Sequence, residues 1–266
     1  MEPGKNASDK KIIQMKKILF NLGTGLLVTI AMTGCNDSAN TTKTETDSDM
    51  TDKKDSRDVS KEAPVSLFDG KSFNGWHNFN GDKDIKSWAI EDSSLVCLGT
   101  AKDAHGGDIV SDNEYENFDL SWDWKVTTGA NSGVMYHVVE DPKYKAPYEI
   151  GPEYQVIDDV GFPGKLEEWQ KAGSDYAMYT PNAKKKLNPP GQWNTGRIVF
   201  NKGHVEHWLN GEKIIEFEAW SDDWNKKRTE GKWKDYPGYG TAKKGKIALQ
   251  DHGNKVYYRN ITIVTL

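Results

Sequence analysis

An antiparallel β-sandwich of two sheets is the fold that this chain predicts, and three observations predict it. Residues 118–126, FDLSWDWKV, set Phe118, Leu120, Trp122, Trp124 and Val126 against Asp119, Ser121, Asp123 and Lys125 in a strict period of two. Successive strand residues point to opposite faces, so this stretch reads as a half-buried strand. Residues 205–217, VEHWLNGEKIIEF, hold Asn210 and Gly211 between two apolar runs. Both residues tolerate the positive φ of a type I′ turn, which makes the pair a strong hairpin signal. Aromatic residues are 11% of the chain, with 10 Trp, a composition that suits a β-rich core, a sugar-binding surface, or both.

The remaining elements follow the same pattern. Short apolar runs at 88–90, 95–98, 133–139, 155–157, 176–179, 196–200, 246–250 and 256–265 read as strands, bounded by Gly, Asn and Asp turns. Only 165–172 and 221–227 look helical, and both are short. Many short strands joined by turns argue for an antiparallel sandwich. A strongly curved jelly roll would leave one concave sheet face open to a ligand.

The N-terminus reads as a targeting segment. Met15, Lys16 and Lys17 give a better start and a positive n-region, and residues 18–32, ILFNLGTGLLVTIAM, form an apolar stretch too short to span a bilayer comfortably. Thr33, Gly34 and Cys35 follow. A small residue before Cys after such a run resembles the bacterial lipobox, which would make Cys35 a lipidated residue and place the protein in the cell envelope. In a Gram-negative cell, Asn36 rather than Asp after the Cys favours outer-membrane sorting. Residues 36–63 are nearly devoid of apolar side chains and read as a disordered polar tether; the globular part is expected over 64–266. With Cys35 so used, Cys97 in SLVCL reads as a small buried hydrophobe. The net charge of -5 with no basic stripe argues against a nucleic acid partner.

Candidate site residues come from four stretches. In GPEYQVIDD, residues 151–159, Tyr154 and Val156 suit a core, which sets Glu153 and Gln155 together on the opposite face. The polar side of 118–126, with Asp123 and Lys125, reads either as a solvated outer face or as the concave face neighbouring Glu153 and Gln155. In TTGANSGVMYHV, Asn131 stands in a turn at the sheet rim, and the face of His137 is ambiguous. In LQDHGN, His252 is the side chain most readily poised for proton transfer. There is no G-x-S-x-G, H-E-x-x-H, Walker A or G-x-G-x-x-G pattern, so no serine nucleophile or nucleotide site is indicated. A divalent cation held by Asp side chains stays open, since no spacing specifies one.

Six pieces in order, SLFDGKSFNGWHNFNG, GGDIVSDNEYENFDLSWDWKV, GANSGVMYHV, GPEYQVIDD, GQWNTGRIVFNKGHVEHWLNGEKIIEF and GKIALQDHGNKVYYRNITI, resemble the 3-keto-disaccharide hydrolase domain family. The resemblance spans 64–266 and implies a concanavalin-like jelly roll, often carried by bacterial lipoproteins. It departs at His137, where members often carry Arg after the aromatic, so a contact made by that Arg is in doubt. The resemblance implies a glycoside substrate whose sugar C3 has been oxidised to a ketone by a partner sugar 3-dehydrogenase.

That ketone acidifies the C2 proton, so a base can form an enolate and the C1 substituent can leave by elimination, with or without rehydration. Such a site needs a base, an enolate stabiliser and an acid for the leaving oxygen. Glu153 is the expected base or metal-holding carboxylate and His252 its acid–base partner or a metal ligand. Gln155, Asn131, Asp123, Lys125 and His137 are the expected substrate contacts, with Gln155 a hydroxyl or enolate hydrogen-bond partner and Lys125 or a bound cation available to stabilise the enolate. Two other readings compete: a non-catalytic carbohydrate-binding lipoprotein, and a surface lipoprotein that docks a partner protein.

Overall fold

The computed structural model describes residues 63–100 and 107–266. The expectations placed on Cys35 and on residues 1–62 lie outside the described residues. Among those described are thirteen strands: β1 (Val65–Ser66), β2 (Trp76–Asn78), β3 (Trp88–Glu91), β4 (Ser94–Cys97), β5 (Ile109–Ser111), β6 (Phe118–Val126), β7 (Asn131–Val138), β8 (Glu153–Ile157), β9 (Asn194–Asn201), β10 (His204–Leu209), β11 (Glu212–Glu218), β12 (Lys246–Leu249) and β13 (Val256–Thr265). The larger sheet runs β11-β10-β9-β6-β13-β4-β3, with β1 also on β13, and the smaller runs β2-β5-β12-β7-β8. Every strand pairing is antiparallel, so the expected all-β jelly-roll sandwich of two antiparallel sheets is borne out.

β6 buries every second residue, from Phe118 to Val126, as its alternation predicts. It lies at the centre of the larger sheet between β9 and β13. Trp122 lies across Gly196 of β9, where a Cβ would stand 2.5 Å from the indole. Glycine at that point is what lets the ring pack against the strand. The hairpin between β10 and β11 turns on Asn210 and Gly211 with φ of 49 and 83, the two positive values of a type I′ turn.

The smaller sheet buries one face against the larger through Ile109, Val134, Tyr136, Tyr154, Val156, Ile247 and Leu249. Its other face carries a second, small apolar cluster of Val110, Met135, Val138 and Ala248, with Phe79 and Tyr148 packed on it. That second face is therefore covered in part by chain, rather than left open as a bare concave surface.

Four local expectations change. Asn131, expected in a turn, is the first residue of β7 and pairs with Ile157. Residues 176–179 do not form a strand. They are a turn whose neighbour Asp175 makes isolated bridges to Tyr154 and Tyr179, closing the free edge of β8. The helix expected at 165–172 shrinks to a 3-10 turn at Glu168–Gln170 with a Glu167–Gln170 capping box. The other becomes α1 (Asp222–Glu230): Ser221 caps it by accepting from the Trp224 amide, and Asp222 and Asp223 sit in its first turn. Another 3-10 turn, Lys232–Asp235, follows it. Five rings then stack nearly parallel from β11 through α1 to this turn. Tyr179 to Phe217 is 4.3 Å, Phe217 to Trp224 5.4 Å, Trp224 to Tyr239 6.4 Å and Tyr239 to Trp233 4.0 Å.

Candidate active site

β8 delivers two polar side chains to one place. Tyr154 and Val156 enter the inter-sheet core, so Glu153 and Gln155 face the other way, as the alternation predicts. Gln155 donates through Nε2 to Asn131 Oδ1 at 3.0 Å, across the β7–β8 pair. The loop after β12 brings His252 to the same face, and its backbone is pinned from both sides. Ser132 Oγ donates to the Gln250 carbonyl at 2.7 Å, and the Asn131 amide donates to Asn254 Oδ1 at 3.1 Å. Asp251 holds the turn: its Oδ1 accepts from the Gly253 amide at 2.9 Å, and its own amide donates to Asp108.

These residues line one cavity of about 290 Å³, together with Tyr148, Tyr176, Lys232, Trp233, Tyr236 and Gln250. The structure thus brings together Glu153, Gln155, Asn131 and His252, four of the residues singled out in the sequence. It adds an aromatic wall and a lysine that the sequence reading missed. They come from turns without periodicity. The visible signal is the clustering of Lys, Trp and Tyr in GKWKDYPGYG.

Three expected contacts do not join. Asp123 and Lys125 lie on β6, in the other sheet, and point to its outer face. There Asp123 accepts from Thr195 Oγ1 and Asn260 Nδ2 at 2.8 Å, while the Lys125 ammonium stands 4.1 Å from the Tyr257 ring. They are a solvated outer face, the other of the two readings their alternation allowed. His137 turns inward: β7 bulges against β12 where Ala248 pairs with Met135 and Lys246 with Val138. His137 takes a φ of 53 there, so it and Tyr136 both pack on Phe200 in the core. Its Nε2 donates to the Glu116 carbonyl at 2.9 Å.

Burial shifts the two titratable side chains of the cavity in opposite senses. Burial pushes Glu153, 4% exposed, up to about 8, and Lys232 opposes the shift. Burial pulls His252 below its ordinary value; its own backbone and the charge of Asp251 oppose the shift, and the charge of Lys232 adds a smaller push downward. Burial thus favours the protonated carboxyl at Glu153 and the neutral imidazole at His252. Behind β8, burial and then the charge of Glu153 hold Asp175 well above the carboxylate range.

No trio of metal-type donors converges in this cavity among the described residues. The trio that does converge, His204, Glu206 and Glu216, stands on β10 and β11, its ligand atoms within 4.8 Å of one another. Lys213 already occupies it, 3.0 Å from Glu206 and 2.7 Å from Glu216.

Comparison with known proteins gives a consistent picture. A family model for the 3-keto-alpha-glucoside-1,2-lyase-like domain matches residues 63–264. A Bacteroides thetaiotaomicron protein named 3-keto-disaccharide hydrolase is 33% identical over 235 residues, covering 78% of this chain and 80% of its own length. Among solved structures, a Parabacteroides distasonis protein provisionally classed as a glycosyl hydrolase has 48% identity and a TM-score of 0.72, covering 76% of this chain and 94% of that one. A second such protein from the same organism has 27% identity and a TM-score of 0.60, covering 77% and 100%. These matches bear out the expected glycoside-cleaving hydrolase, and the chain belongs to the 3-keto-alpha-glucoside-1,2-lyase-like domain family.

Proposed function

We propose that this protein cleaves glycosides whose sugar carries a ketone at C3, by removing the C2 proton and expelling the C1 substituent. The observation that carries this reading is the pairing of Glu153 and His252 on one cavity, with the carboxyl shifted up and the imidazole down. An elimination needs one group that can take a proton and one that can give it, both ready at the same pH. His252 is the base for C2, and Glu153 protonates the departing oxygen. Gln155 and Asn131, tied to each other, present their remaining amide groups to sugar hydroxyls. Tyr148, Tyr176, Trp233 and Tyr236 offer ring surface to the apolar faces of the sugar. Water then adds to the unsaturated product for net hydrolysis.

A C3 ketone must be made before this enzyme acts, so a sugar 3-dehydrogenase belongs upstream. The lipobox-like Cys35 supports a lipid-anchored protein of the cell envelope.

The test is release from a chromogenic 3-keto-glucoside and from its unoxidised parent by the purified protein, each with and without EDTA. Release from the keto substrate alone is expected, and EDTA sensitivity decides the metal question. Saturable binding of both sugars with turnover of neither would overturn the reading in favour of a carbohydrate-binding protein.

A further inference from the structure

We propose that Lys232 is a further catalytic residue: its ammonium receives the oxygen of the sugar ketone and stabilises the negative charge that develops there when C2 loses its proton. The inference rests on the keto-glycoside reading above and adds to it a cation for the oxyanion that the chemistry forms. The sequence offered Lys125 for this task, and Lys125 stands on the opposite sheet.

Among the described residues, Lys232 is the only Lys or Arg on the cavity lining. It is held there by rings, as Lys125 is by Trp193 and Tyr257 on the other sheet. Lys185, Lys213 and Lys246 are each paired with a carboxylate. Lys232 is placed by rings instead, 3.9 Å from the centre of Tyr176, 5.2 Å from Trp233 and 6.0 Å from Trp169. A ring face attracts a cation through its quadrupole and takes up none of its hydrogen-bond donors in conventional bonds. The three N–H groups of the ammonium stay available to a ligand oxygen.

Its position agrees with the role. Its charge is felt by both Glu153 and His252, so it stands within electrostatic reach of the place where the proton leaves C2. Lys232 is exposed at the cavity mouth, so a sugar filling the cavity strips water from it and strengthens its hold on a developing oxyanion.

The step balances without a co-reactant. The C2 proton passes to the His252 imidazole, the C2–H electron pair becomes the C2–C3 double bond, and the ketone π pair moves to O3 beside Lys232. The O3 pair then re-forms the ketone, and the C2–C3 pair shifts to C1–C2. The C1–O bond breaks with its pair on the leaving oxygen, which takes the Glu153 proton. Lys232 gives no proton and ends as it began.

A 3-keto sugar with hydrogen in place of the C1 substituent isolates the first half, because it can form the enolate and cannot eliminate. In heavy water the wild type is expected to exchange its C2 hydrogen, followed by NMR. K232Q should lose about 100- to 1,000-fold in that exchange and in kcat on the keto-glucoside, the scale for an oxyanion donor. K232R should recover part of both. E153Q should keep the exchange and lose cleavage. Wild-type exchange by K232Q, or a defect confined to KM, would overturn the assignment and make Lys232 a binding residue for an anionic sugar substituent. Absence of exchange by the wild type would overturn the keto-glycoside reading itself and this role with it.

Discussion

Glu153 keeps its carboxyl in the space that Gly133 leaves empty: a Cβ on Gly133 would stand 2.1 Å from Glu153 Oε1. Gly133 pairs with Gln155 across β7 and β8, which sets it diagonally beside Glu153. In G133A the flexible carboxyl has to move, while the backbone does not. Stability should fall by only about 1 kcal/mol, and kcat/KM should drop by about 100-fold, since misplacing a catalytic group by an ångström costs that much. Thermal unfolding and keto-glucoside cleavage, measured on the same sample, check the split.

The activity should follow a bell in pH. Glu153 is needed protonated, and its pKa is raised to about 8, so kcat/KM falls as pH rises through that value. His252 is needed neutral, and its pKa is lowered, so kcat/KM falls only on the acid side of its ordinary range. The plateau then spans neutral pH. A pH–rate profile that instead climbs through 8 would assign the base to Glu153.

Stability should also depend on pH, with the opposite sense to an ordinary ion-paired carboxylate. The buried carboxyls of Asp175 and Asp108 titrate well above their ordinary values. Such a group favours the folded state fully below its unfolded pKa, and that contribution is lost as pH rises toward the folded one. In that window the native protein binds a proton that the unfolded chain has released. D175N removes one such proton, so its unfolding free energy should decline less steeply with pH, by up to about 1.4 kcal/mol per pH unit. Denaturant melts at several pH values above 4 report the slope.

Alanine at Asp123 or Lys125 should leave cleavage unchanged. Both side chains face outward from the sheet opposite the cavity, in contacts with Thr195, Asn260, Trp193 and Tyr257. Exposed pairs of this kind contribute about 0–1 kcal/mol. Steady-state kinetics identical to wild type, with a small shift in melting, is the expected result.

These cases mark what was legible in the sequence. Alternation assigned the two faces of β8 correctly, because a period of two is a local property of the strand. It assigned the inward face of β6 equally well. It did not say which outward face becomes the site, since Asp123 and Lys125 alternate as cleanly as Glu153 and Gln155. That choice depends on which sheet the later chain folds over, a tertiary matter. His137 escaped because a bulge breaks the period at that point. Lys232 and Trp233 escaped because their 3-10 turn is placed by ring packing rather than by any repeat of its own.

The five stacked rings give the molecule a signal of its own. Trp224 and Trp233 lie near-parallel to Tyr239 between them, at 16° and 8°, so their electronic transitions couple in a chiral arrangement. Trp233 is also part of the cavity wall. Ligand entry therefore perturbs one end of a coupled chromophore, and near-ultraviolet circular dichroism or intrinsic fluorescence reads occupancy without a label, even for sugars that are never turned over.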